Sequence, residues 1–162
     1  MPIPLPELDY LNSILECRDG ILYHKVNRGK ARAGNIAGQM AKHYWTLRIQ
    51  NRNYYIHRVV FFMANGWCPD YIDHINGNKI DNRIENLRPA TNQQNGGNSP
   101  IRKNNSHGAK NLTFDKRSNF WYVKFWVNGV RRNLGCFKDK ELAIEFAELA
   151  RETIYGQFAR HA

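Results

Sequence analysis

Asp73 and His74 are adjacent at the end of a short β-like run that begins at Tyr71, and a polar loop rich in asparagine follows them. These residue types suit hydrolysis of a phosphodiester. A neutral imidazole takes a proton from water near neutral pH. A hard divalent cation neutralises charge on the phosphate and on the departing 3′ oxygen. Mg²⁺ prefers oxygen ligands and keeps several waters, so one carboxylate and one amide oxygen suffice. Neighbours on an extended strand point to opposite faces, so Asp73 can bind metal while His74 reaches the attacking water. A helix is expected to begin near Thr91, whose hydroxyl would cap it. Asn95 then falls about one turn inside, and a helix packed across the strands could bring it to the metal opposite Asp73. An isolated Asp-His pair is most often a structural turn, so the constellation carries the argument rather than the pair.

The elements that must position these residues are read from periodicity and turn chemistry. Tyr44–Ile49 and Tyr54-Tyr55-Ile56 are β-rich, with Asn51-Arg52-Asn53 expected as the turn between them. His57–Ala64 reads as a short buried helix stopped by Asn65-Gly66. A second short strand is expected at Leu87. His57 sits at a helix start among apolar residues and reads as structural, and His24, His43 and His107 fit no catalytic pattern.

The whole pattern resembles the HNH homing-endonuclease family, a ββα-metal nuclease class found in phages. The residues that carry the resemblance are His57-Arg58-Val59, Asp73-His74-Ile75-Asn76-Gly77-Asn78-Lys79, Asn82-Arg83-Ile84-Glu85-Asn86-Leu87-Arg88 and Asn95. Gly20-Ile21-Leu22-Tyr23 and Gly34-Asn35-Ile36-Ala37-Gly38 extend it upstream, so it covers roughly residues 10 to 95. The resemblance implies His74 as general base and Asp73 and Asn95 as ligands of one divalent metal. It implies Asn86 as the residue that braces the loop and holds His74. Asn95 stands where many members carry a histidine ligand, which favours Mg²⁺ (or Mn²⁺) over softer ions, with no zinc expected. The implied products carry a 5′-phosphate and a 3′-hydroxyl.

A second module is expected from 108 to 162. Phe120–Val127 and Val130–Phe137 flank Asn128-Gly129, a strong hairpin signal. Asn111–Phe114 reads as a third strand, and a helix is expected from Lys140 to Tyr155. This order resembles the DNA-binding domain of the APETALA2/ethylene-response-factor class, on Trp121-Tyr122-Val123-Lys124-Phe125, Asn128-Gly129-Val130-Arg131, Leu134-Gly135-Cys136-Phe137 and Tyr155-Gly156-Gln157-Phe158-Ala159. Alternation puts Trp121, Val123, Phe125 and Val127 against the helix and Phe120, Tyr122, Lys124 and Trp126 outward. Arg131, Asn133 and Thr113 should share the outward face, with Lys110, Lys116, Arg117 and Arg132 adding charge nearby. A sheet can enter the major groove and present such side chains to bases and phosphates.

Bulk properties agree with a polyanionic partner. The 162 residues carry a formal net charge of +10 and a pI near 9.7, which fits nucleic acid. A membrane partner is not expected, because no apolar run approaches the roughly 20 residues a span needs. The start, Met1-Pro2-Ile3-Pro4-Leu5-Pro6, lacks the basic and apolar regions of a secretory leader. Three widely spaced cysteines, Cys17, Cys68 and Cys136, exclude a disulfide framework and fit the reducing cytoplasm.

The fold class expected is α+β: a ββα-metal nuclease domain over 1–95 with an N-terminal β-hairpin region, a basic polar linker over 96–107, and a three-stranded antiparallel sheet packed on one helix over 108–162. Arg102 and Lys103 of the linker, with Arg48 and Arg88, join the residues assigned to double-stranded DNA. The function expected is site-specific cleavage of DNA, as a homing endonuclease, by a protein that is a monomer on DNA unless it dimerises to cut both strands. The competing readings are a non-catalytic DNA-binding regulator and an RNA-binding protein that stacks bases on exposed aromatics.

Overall fold

In the computed structural model, which describes residues 4–161, the chain divides into two compact units, Met1–Thr91 and Asn92–Ala162. Met1-Pro2-Ile3 of the segment read for a leader, and Ala162, lie outside the described residues.

The first unit opens with α1 (Leu8–Ile14), which runs straight into β1 (Leu15–Arg18). β1 pairs antiparallel with β2 (Ile21–His24) across the Asp19-Gly20 turn. A second sheet has the order β3 (Gln39–Ala41), β4 (Tyr44–Ile49), β5 (Arg52–Tyr55). The β4–β5 turn is Gln50-Asn51 and not Asn51-Arg52-Asn53. Both residues adopt positive φ, 47° and 62°, and Ile49 faces Arg52. A two-residue turn of that hand matches the twist of the strands, so Arg52 and Asn53 are released into β5. Ile56 begins α2 (Ile56–Asn65), and the Gly66 N–H closes it on the Phe62 carbonyl at 2.8 Å.

β6 (Tyr71–His74) and β7 (Leu87–Ala90) form an antiparallel pair in which Asp73 faces Arg88 and His74 faces Leu87. Ile72 of β6 and Leu87 of β7 belong to the same apolar core as Leu11, Leu22, Ile49 and Val59. Alternation then places His74 on the core side with Ile72, and Asp73 on the other face beside Arg88. The core thus fixes the backbone of the strand that carries both residues. Side chains of this kind each contribute about 1.5–3 kcal/mol when fully buried.

The second unit begins with α3 (Asn92–Asn98) and continues through β8 (Leu112–Asp115), β9 (Phe120–Val127), β10 (Val130–Phe137) and α4 (Lys140–Tyr155), with a 3₁₀ turn over Gly156–Phe158. β9 is central. Asn128 and Gly129 take φ of 51° and 76°, the conformation a two-residue hairpin demands. The core holds Val123 and Phe125 against Ala143 and Ala147, with Trp121 and Val127 packed on it. Small residues one helical turn apart let α4 sit close to the sheet. Asp139 caps α4 by accepting the Leu142 N–H at 2.8 Å.

The 96–107 segment is not a free tether. Arg151 on α4 is 4% exposed and donates to the Gly97 carbonyl at 2.6 Å, to Asn111 Oδ1 at 2.7 Å and to the Arg160 carbonyl at 2.8 Å. Gly97 lies so close to the Tyr155 ring that a β-carbon there would come within 2.7 Å of it. These contacts hold α3 within the second unit. A buried guanidinium needs such acceptors, since leaving it without them would cost several kcal/mol.

Candidate active site

β6 delivers Asp73 and His74 as buried neighbours, 7% and 5% exposed. The cross-strand partner of Asp73 is Arg88, whose Nε and Nη2 donate to Asp73 Oδ2 at 2.8 and 2.7 Å. Arg88, expected to touch phosphate, is therefore engaged inside the protein, because the β6–β7 register sets it opposite a carboxylate. On the other face, His74 Nε2 lies 3.2 Å from Asn82 Oδ1, and Asn82 is itself 5% exposed. Asn82 opens a stretch that carries the family resemblance, which gives it no role of its own.

The loop after His74 is braced from within. The Asn86 Oδ1 accepts the Asn76 N–H at 3.0 Å, and Asn86 Nδ2 donates to the Asp81 carbonyl at 2.7 Å. The Ile75 N–H adds a bond to the Asn86 carbonyl at 2.9 Å. Asn86 is thus a crosslink across the loop that follows His74. Asp81 accepts from Asn76 Nδ2 and from both arms of Arg83. The Arg83 hydrogen bonds hold the Asp81 carboxyl well below its ordinary range.

An aromatic wall backs the imidazole. The His57 ring meets His74 edge-on at 5.1 Å, Tyr55 stacks on His57 at 5.5 Å, and Tyr44 packs against both imidazoles. Lys79 Nζ lies 5.2 Å over the Tyr44 ring. Burial pushes the His74 imidazole below its usual pKa, while the Asn82 hydrogen bond and the Asp73 and Asp81 carboxylates pull the other way. The ring is therefore neutral near neutral pH, the form that can accept a proton.

Burial lowers His57 further, to about 3, with the His74 and Arg58 charges acting in the same direction. Its folded pKa lies below the unfolded value of 6.5. Above 6.5 both states are neutral, and the stability is fully present. As pH falls from there towards 3, the unfolded chain takes up the proton first, so stability is lost across that window. Denaturant midpoints should fall over that range, and His57→Phe should flatten the fall. An unchanged slope in the variant would show that His57 does not titrate this way.

The donor set can be tested against a hard cation. Among the described residues no group of three or more His, Cys, Asp or Glu side chains is placed to hold a metal. Asp73 is a buried carboxylate. Asn95, within the first turn of α3, has its Oδ1 shielded from solvent without a hydrogen-bond partner. A buried amide oxygen without a donor is costly, and a cation ligated there would remove the cost. Asp73 in the first unit and Asn95 in the second are each an oxygen donor of the kind Mg²⁺ takes.

In the second unit, β9 and β10 place Trp126 opposite Arg131 and Lys124 opposite Asn133, and Thr113 of β8 opposite Tyr122. Facing residues share a side, so these six line one face of the sheet. Trp126 is 62% exposed, and Lys124 Nζ sits 4.8 Å over the Tyr122 ring. Lys116 and Arg117 are exposed in the β8–β9 turn, as are Arg102 and Lys103 before the sheet and Arg48 in the first unit. Arg132 faces Phe125 and so takes the helix side of the sheet, although it is exposed. Lys110 differs most from expectation. Its ammonium donates to the Ser99 carbonyl at 2.7 Å and to the Arg160 carbonyl, and burial pushes its pKa down to about 8. Those carbonyls are its partners within the fold.

Comparison with known proteins gives concordant results. The family model described as HNH endonuclease matches residues 54–96. Protein 3.8 of Escherichia phage T7 is 33% identical over 108 residues, which is 64% of this chain and 87% of that protein. An uncharacterized HNH endonuclease of Acanthamoeba polyphaga mimivirus is 30% identical over 107 residues, 64% of this chain, and the match spans about half (54%) of that relative's length. No solved structure matches the chain. The matched model falls on β6, the braced loop and β7, where the buried imidazole and carboxylate stand side by side, and the phage T7 match runs over most of that protein. Residues 54–96 carry an HNH endonuclease domain, in a chain related to protein 3.8 of phage T7.

Proposed function

We propose that the protein is a site-specific, metal-dependent endonuclease of double-stranded DNA, of the homing type, that leaves 5′-phosphate and 3′-hydroxyl ends. The observation that carries the reading is a neutral, buried His74 held beside a buried Asp73 at the mouth of a loop that Asn86 crosslinks. His74 takes the proton from the attacking water. The family resemblance assigns Asp73 and Asn95 to one Mg²⁺ or Mn²⁺, which when bound would supply charge neutralisation for the phosphate and the leaving oxygen. Asn86 keeps the loop from drifting, so that the imidazole does not have to be ordered at the moment of reaction.

The sheet face of the second unit supplies affinity and address, in the manner of an APETALA2-like module. Support comes from the row of Lys124, Arg131 and Asn133 beside Trp126, because a solvent-exposed Trp among cations suits a groove wall. Lys124→Ala and Arg131→Ala should each weaken binding and reduce the slope of log affinity against log salt by about 1. An unchanged slope in both would remove this face from the phosphate contacts.

The direct test is cleavage of DNA from the neighbourhood of the gene, mapped strand by strand. Cutting with Mg²⁺ and none with EDTA is expected. Tight site-specific binding without cleavage under any divalent cation would instead support a DNA-binding regulator.

A further inference from the structure

We propose that Lys79 binds the scissile phosphate of the DNA: its ammonium, carried over the Tyr44 ring beside His74, pairs with a non-bridging oxygen of that group. The inference rests on the reading of His74 as the base, and it goes beyond that reading by naming the side chain that meets the charge of the substrate.

The stretch from Asp73 to Thr91 carries three cations, Lys79, Arg83 and Arg88. Arg88 is committed to Asp73 at 2.7 Å. Arg83 is held between Asp81 at 2.8 Å and Glu85 at 3.7 Å. Neither guanidinium can turn to a phosphate without leaving a carboxylate behind. Lys79 is exposed, and among the described residues its ammonium forms no ion pair and no hydrogen bond. Its one contact is the face of Tyr44, with Nζ 5.2 Å from the ring centre. An ammonium has three donors and no acceptor, so a ring on one side leaves donors turned to solvent, where an anion can take them.

Position supports the assignment. The side chain leaves a turn whose backbone is pinned on both sides: the Asn78 carbonyl accepts the Asp81 N–H at 3.1 Å, Asn78 Oδ1 accepts the Ile80 N–H at 3.3 Å, and Asn76 Oδ1 accepts the Asn78 N–H at 2.8 Å. Tyr44 neighbours His74 as well, with ring centres 6.3 Å apart. One aromatic ring therefore touches both the ammonium and the imidazole. The Lys79 charge is also felt at His74 as a downward push on its pKa, as a nearby cation requires. An exposed cation–π contact is weak, so it orients the ammonium without competing with a phosphate. Negative charge grows on the phosphate oxygens as water attacks, and a cation already in place stabilises it without having to be ordered first. Lys79 exchanges no proton. The bond made is from the water oxygen to phosphorus, and the bond broken is from phosphorus to the 3′ oxygen.

The experiment uses full-length protein and a duplex that carries the mapped cleavage site, with either its natural scissile phosphate or an uncharged methylphosphonate in that place. Affinity for both duplexes is measured in EDTA, and single-turnover cleavage of the natural duplex in Mg²⁺. Wild type should bind the methylphosphonate duplex several-fold less tightly than the natural one. Lys79→Met should be weaker on the natural duplex and bind the two alike. At saturating DNA, Lys79→Met should slow cleavage on the order of 10- to 100-fold, less than the loss of a donor in a water-excluded site. Lys79→Arg keeps the charge and should recover most of the rate. Three results overturn the proposal: wild type that binds both duplexes equally, Lys79→Met that loses the same factor on both, and Lys79→Met that cuts at the wild-type rate. A merely structural role in the loop would give the second, since neutralising one phosphate would not erase it. If Lys79→Met does not fold, Lys79→Gln replaces it in both measurements. His74→Ala keeps the two readings apart. Full cleavage by His74→Ala would overturn the assignment of the base, while the paired affinities would still report whether Lys79 meets that phosphate. An inactive His74→Ala beside an unaffected Lys79→Met would leave the base in place and remove Lys79 alone.

Discussion

His74→Ala should reduce cleavage by about 10²- to 10⁴-fold while DNA affinity stays within a factor of two or so of wild type. The expectation follows from where the ring sits. It is buried, neutral near neutral pH and bonded to Asn82, so it is already in the form that accepts a proton. Removing it deletes the acceptor and leaves the charge-stabilising groups in place. The basic face of the second unit is untouched, so binding and its salt dependence should persist. Truncation also leaves a small cavity beside His57 and Tyr44, and some stability will be lost. A circular dichroism melt and a binding isotherm separate that loss from lost chemistry. A folded, DNA-bound His74→Ala protein that still cuts at the wild-type rate would remove His74 from the reaction.

The parts of this molecule that are legible in its sequence are those decided locally. Asn128-Gly129 between β-formers states a hairpin because both turn residues tolerate positive φ, and they take it. The apolar stripe of α4 and its Asp139 cap lie within one stretch of chain, and the helix spans Lys140–Tyr155 as its periodicity requires. The Asp73-His74 pair and Asn86 stand out because a family pattern fixes their spacing. What the sequence conceals depends on contacts made across the fold. Asn82 meets His74 only after the loop closes on itself through Asp81 and Asn86. Gly96-Gly97 reads as tether because glycine disfavours helix, yet Arg151 and Tyr155 from α4 hold that segment in a helical turn. Lys110 reads as one more surface cation in a basic chain, and its inward course depends on the Arg160 carbonyl, 50 residues away. Arg88 reads as a phosphate contact, and the register of β6 against β7 turns it to Asp73.

That last pair yields a prediction in which stability and activity come apart. Asp73 and Arg88 side chains are 8% and 14% exposed, so the ion pair is largely out of water. Taking one partner from such a pair costs about 3–5 kcal/mol, because the charge that remains has lost its compensation. Asp73→Ala should therefore lower stability by about 3 kcal/mol and also abolish Mg²⁺-dependent cleavage, since its carboxylate is the one charged oxygen donor proposed for the cation. A single variant cannot say which loss caused which. The double variant Asp73→Ala/Arg88→Met can, because it replaces the stranded guanidinium with an apolar chain of similar length, and such replacement of a buried pair is often neutral for stability. Stability should then return to within about 1 kcal/mol of wild type, whereas cleavage should stay lost at every Mg²⁺ concentration. Arg88→Met alone should keep Asp73 available and retain Mg²⁺-dependent cutting, with a shifted metal titration as the mark of a carboxylate freed from its internal cation. Recovery of cleavage in the double variant would show that Asp73 serves the fold through Arg88 and that the cation is held elsewhere.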